Sequence, residues 1–98
     1  MEVTLRGTVM TAPRFFHGKH SRYEHETFDC RGDDGALFRV VDNVTIGPQV
    51  PAVPGDQVVV TGELVHDRGQ PPIVHFTHHD PWHTHADGSI VLNGRVYA

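Results

Sequence analysis

Gln57-Val-Val-Val-Thr-Gly-Glu-Leu-Val-His66 is the stretch that decides the fold. It is rich in β-branched residues, carries no helical 3.6-residue period, and is launched by the turn pair Gly55-Asp56, so it predicts a strand. Upstream, Asp42 to Pro54 is irregular, because Pro48, Pro51 and Pro54 prevent a helix of useful length. Before it, Tyr23 to Arg31 and Ala36 to Val41 read as a second and third strand joined by the turn Gly32-Asp-Asp-Gly35. Glu2 to Val9 reads as the first strand, with Val3, Leu5 and Val9 in phase and Gly7 marking a bulge or a close backbone approach. A polar, basic and aromatic loop is expected from Thr11 to about Arg22. Downstream, a loop over Asp67 to Pro72 leads into a fifth strand, Ile73 to His78. Asn93-Gly94 within Ser89 to Tyr97 is a type I′ hairpin signal. The expectation is an all-β chain: a small five-stranded Greek-key barrel of OB type plus a C-terminal hairpin. An SH3-like barrel or a small sandwich is the alternative.

The 98 residues suit one domain, residues 1–98. No run approaches the roughly 18 apolar residues of a membrane span, so no membrane partner is expected. Lys and Arg number 8 against 12 Asp and Glu, a net charge of −4 that disfavours non-specific nucleic-acid binding. Protonation of the 9 histidines would reverse that sign. The single cysteine, Cys30, excludes an intrachain disulfide and falls in a strand pattern that reads as a buried, inert thiol. The amino terminus opens on strand-like sequence without a leader pattern, and a cytoplasmic location is the expectation. Edge strands leave room for a homodimer.

Five histidines crowd Ile73-Val-His-Phe-Thr-His-His-Asp-Pro-Trp-His-Thr-His85. Imidazole is the commonest side-chain metal ligand, so the segment suggests zinc or another transition metal. In an extended strand Val74 and Phe76 would face the core, His75, Thr77 and His79 would face away, and His78 would turn inward. His75 and His79 would then stand about 13 Å apart, too far to share one ion. Asp80 and Pro81 should end the strand and let the chain fold back, bringing His83 or His85 towards His78 or His79. His78, His79 and His85 are the first candidates for ligands, with His25, His75, His83 and Asp80 behind them. The competing reading is a polar barrel rim whose imidazoles cap backbone groups.

Two further functions compete. A metal-bound water at the same site would make a hydrolase of nuclease or phosphoesterase type, with a free histidine or Glu63 moving the proton. Arg14, Phe15, Phe16, Lys19, Arg22 and Tyr23 in the first loop combine charge and aromatic faces suited to an oligonucleotide, the usual ligand of OB barrels. Trp82 reads as a cover for the barrel end rather than a ligand clamp. Arg31-Gly32-Asp33 matches an adhesion tripeptide, but a Gly- and Asp-rich turn produces it by chance.

From about Tyr23 onward the chain resembles a family of small bacterial domains to which no function is assigned. The resemblance is carried by His25, Phe28, Asn43, Gly55-Asp56, Gly62-Glu63, Val74-His75, Thr77-His-His-Asp-Pro81, His85, Asp87-Gly88, Asn93-Gly94 and Tyr97. The Thr-His-His-Asp-Pro segment is its most specific part. The chain departs from the family by Phe76, where tryptophan is usual, and by Asp42, where histidine often precedes the asparagine. The resemblance implies a shared fold and site, and no particular activity. The leading expectation is a binding module for a metal ion or small ligand.

Overall fold

In the computed structural model, which describes residues 1–20 and 22–98, the chain forms eight strands and, among the described residues, no helix. They are β1 (Glu2–Val9), β2 (Arg14–His17), β3 (Glu24–Gly32), β4 (Leu37–Asn43), β5 (Gln57–Val65), β6 (Ile73–His75), β7 (Ser89–Leu92) and β8 (Arg95–Tyr97). β1 pairs with β3, β3 with β4, β4 with β6 and β6 with β5, and β5 returns to β1. The ring is therefore closed. Every pairing in it is antiparallel except β4 with β6, where Arg39 faces Ile73 and Val40 faces Val74. This is the expected five-stranded OB-like Greek-key barrel.

Alternation fills the barrel. Phe28 and Cys30 on β3, Val40 on β4, Val58 and Val60 on β5, Val74 on β6 and Ile90 on β7 all lie in the core. Each such side chain contributes about 1.5–3 kcal/mol on burial. Cys30 is fully buried, and desolvation followed by the neighbouring Asp29 charge pushes its thiol up to about 12. That is the inert thiol the pattern predicts. The irregular connection between β4 and β5 inserts Val50 and Ala52 into the core, closing the barrel where an OB fold usually carries a helix.

β7 and β8 form the expected hairpin, with Asn93 and Gly94 at φ of 48° and 86°, as a type I′ turn requires. The turn is fastened to β5: Asn93 Oδ1 accepts from Gln57 N at 2.9 Å. No helix among the described residues is long and apolar enough to cross a membrane.

Two expectations need correction. The segment expected as a loop over Thr11 to Arg22 contains β2, which pairs with β3 from Thr27 to Glu24; Ser21 lies outside the described residues. β1 reaches β3 only at Gly7 to Val9, and β2 takes up the edge that β1 leaves bare. The fifth strand of the ring ends at His75 instead of His78.

Candidate functional site

The strand ends early because Phe76 adopts φ of 55°, a left-handed conformation uncommon for a non-glycine residue. One such residue shifts the inward–outward phase. Phe76, expected in the core, is exposed, whereas Thr77, expected outside, is buried along with His78. Two glycines make this possible. A Cβ on Gly62 would collide with the His75 carbonyl, and one on Gly88 with the Phe76 and Thr61 carbonyls, so backbone packs directly on backbone there.

The following reversal is tied by two aspartates. Asp80, buried, accepts from Trp82 N at 2.9 Å, His85 N at 2.9 Å, Thr84 Oγ1 at 2.8 Å and the Thr84 N–H. Burial pushes its carboxyl up, but the hydrogen bonds from Thr84, Trp82 and His85 outweigh that and hold it well below the usual carboxylate range. Asp87 accepts from Asp80 N and from His79 Nδ1, each at 2.9 Å, and these bonds lower its carboxyl in turn. Asp80, foreseen as a ligand, has its oxygens committed to shaping the loop.

The reversal brings imidazoles together in two pairs. His78 and His85 stand edge to face with ring centroids 5.4 Å apart, and His79 and His83 with centroids 6.2 Å apart. His78 Nδ1 lies 2.7 Å from the His79 carbonyl, and His85 Nδ1 lies 2.8 Å from the Ala86 carbonyl. A carbonyl can only accept, so both Nδ1 atoms carry the proton, and in the neutral rings both Nε2 lone pairs are free. His85 Nε2 also lies 3.7 Å from an Asp80 oxygen.

These two rings open into a pocket of about 330 Å3. His25 from the start of β3 and His75 from the end of β6 line it too, with Asn43, Ile46 and the aromatic rings of Tyr23, Phe76 and Trp82. Burial lowers the affinity of His75 for a proton, and His85 adds to that, while Glu63 on the adjoining strand opposes it. His25 stacks on Phe16, and its Nδ1 is buried without a hydrogen-bond partner among the described residues. His75, Phe76 and His85 form a three-ring stack at 4.1 and 4.0 Å.

Of the expected ligands, His25, His75, His78, His85 and Asp80 therefore line one pocket, while His79 and His83 lie outside it. Among the described residues no group of three or more His, Cys, Asp or Glu side chains is already gathered to hold one ion. Trp82, expected to cover the barrel end, is 59% exposed and forms part of the pocket wall. In the first-loop set, Arg14 lies 3.7 Å from Asp29, and Phe15, Phe16 and Tyr23 are exposed.

A second feature went unforeseen. Glu26 and Asp42 face each other across β3 and β4, both fully inside the barrel. Glu26 Oε1 accepts from Val50 N at 2.7 Å, and Asp42 Oδ1 accepts from Thr77 Oγ1 at 3.1 Å. Among the described residues the remaining oxygens, Glu26 Oε2 and Asp42 Oδ2, have no donor, and a single proton held between the two carboxyls would satisfy both. Desolvation above all pushes the Glu26 carboxyl up to about 8, with Asp42 adding to it against the Val50 N–H. The signal was in the sequence: Glu26 is in phase with Phe28 and Cys30, and Asp42 with Phe38 and Val40.

Fold and pocket together define a small closed β-barrel of OB type with an imidazole-lined cavity at the reversal after β6. The chain belongs to a family described as a protein of unknown function (DUF3465), whose model matches residues 3–98, further towards the amino terminus than the quoted motifs extend. No curated protein and no solved structure matches it.

Proposed function

We propose that this barrel is a binding module whose pocket holds a transition-metal ion on His78 and His85. One observation carries the reading: both rings are fixed by an Nδ1–H bond to a main-chain carbonyl, which makes Nε2 the lone-pair atom of each neutral ring. That outer bond is the arrangement by which proteins orient metal-binding imidazoles. Two rings bound through nitrogen at about 2.0–2.1 Å and a tetrahedral angle have centroids roughly 5 Å apart. The observed 5.4 Å is close to that separation. His75 and His25, which line the same pocket, would supply further donors after side-chain rotation, and burial lowers the proton affinity of His75. The Asp80 carboxylate beside His85 adds negative potential. All-nitrogen donors of this kind suit zinc, copper or nickel better than magnesium or calcium.

Elemental analysis and zinc titration of untagged protein test the reading. The expected result is about one tightly bound ion per chain, loss of binding in His78→Ala and His85→Ala, and normal binding in His66→Ala, whose imidazole lies outside the pocket. Absence of any metal, with neither the thermal melt nor the histidine resonances responding to zinc, would overturn it.

A further inference from the structure

We infer that the same pocket receives a flat heteroaromatic ring of nucleobase size. The inference rests on the binding-module reading, but not on the metal. A cavity of about 330 Å3 is far larger than an ion needs. At about 30 Å3 per water it has the room of roughly ten waters, enough for a ring system and a substituent.

The walls specify the shape. Tyr23 and Trp82 line the cavity and are 39% and 59% exposed, so flat aromatic rings stand at an open mouth. Phe76, its two faces covered by His75 and His85 at interplanar angles of 27° and 13°, keeps those imidazoles close to parallel as part of the wall. Planar walls match a planar guest, whose π-face any aromatic side chain can stack on, and leave gaps around a branched aliphatic one.

The polar groups specify an edge that both donates and accepts. Asn43 Oδ1 is committed to the N–H groups of Thr45 and Ile46, at 3.0 and 3.1 Å, which leaves its NH2 to donate. His78 and His85 offer Nε2 as acceptors, or as joint ligands of an ion that a ring nitrogen could complete. Ring nitrogens and exocyclic groups of a nucleobase answer both needs. Such a ring could come from a free nucleoside or from a base on a single strand, for which Arg14, Lys19 and Arg22 on the neighbouring segment would supply phosphate contacts.

Trp82 is the sole tryptophan and reports directly on the cavity. The full chain, stripped with chelator and separately loaded with zinc, is titrated with adenosine, with hexanoate as the aliphatic comparison, and with a ten-base oligodeoxyadenylate at two salt concentrations. Adenosine is expected to change Trp82 emission saturably, and hexanoate to leave it unchanged. Measured by calorimetry, Trp82→Ala should weaken adenosine binding about tenfold, and Trp82→Phe should restore it. Tighter, steeply salt-dependent binding of the oligomer assigns the ring to a strand; equal, salt-insensitive binding per base assigns it to a free nucleoside. Silence towards adenosine in both preparations, equal binding of hexanoate, or a folded Trp82→Ala protein that binds normally by calorimetry would overturn the inference. If zinc binds and adenosine does not, this inference alone fails. If adenosine binds and zinc does not, the metal reading alone fails.

Discussion

The barrel wall and the Thr77–Gly88 reversal are held by different physics. The wall is a closed ladder of main-chain hydrogen bonds around an apolar filling. The reversal has almost no ladder and almost no apolar filling; two carboxylates, Asp80 and Asp87, gather its N–H groups. A ladder fixes backbone and leaves side chains to alternate. Carboxylate knots fix backbone in arbitrary shapes, and that freedom is what brings His78 and His85 to the cavity that His25 and His75 line from the wall.

The largest effect expected is on the wall. Phe28→Ala removes a fully buried ring and should cost about 3–5 kcal/mol, a large share of the roughly 5–15 kcal/mol that holds a domain folded; urea denaturation measures it.

Next comes the shared proton inside the barrel. Glu26 releases its proton near 4.5 when unfolded but only near 8 when folded, so the folded state binds the extra proton between those values. The contribution is complete below about pH 4.5, declines as pH rises, and levels off above about pH 8. Glu26→Gln, which imitates the protonated form, should flatten this slope and stabilise the protein at pH 8 by on the order of 2 kcal/mol, read from melts across pH.

The reversal responds in the opposite sense. Asp80 is held below its ordinary value of 3.8, so its contribution is full above that pH and is lost as pH falls through the lower, folded value. Acid should therefore loosen residues 77–88 while the barrel persists, and Asp80→Asn should bring the loosening to neutral pH. Amide exchange resolved by residue would show it, and uniform protection across both regions would contradict the distinction.

The smallest effect is expected from His79→Ala. Its imidazole meets Asp87 outside the cavity at an exposed position, so zinc affinity should change by less than about twofold.

Much of this contrast was legible in sequence on one side only. The wall could be read because β5 alternates against solvent and Asn93-Gly94 demands its turn, and the five-strand order then leads to the OB ring. β2 was hidden because all four of its residues are exposed, which erases the alternation that marks a strand. In the reversal, the fold-back at Pro81 and the meeting of His78 with His85 followed from chain-breaking residues. The phase slip at Phe76 did not, since nothing in a phenylalanine announces a positive φ. Glu26 was overlooked because a carboxylate in an apolar phase looks like an interruption of the strand, when it is half of a buried pair.

Gly62 and Gly88 carry a consequence for control of the pocket. Neither presents a side chain to any guest, yet a single methyl at either would lever the His75–Thr77 backbone away from its seat. Alanine at these positions would give a variant in which every candidate liganding group is retained and only their mutual alignment is lost. Such proteins separate the presence of imidazoles from their convergence, a distinction that deleting histidines one at a time can never draw.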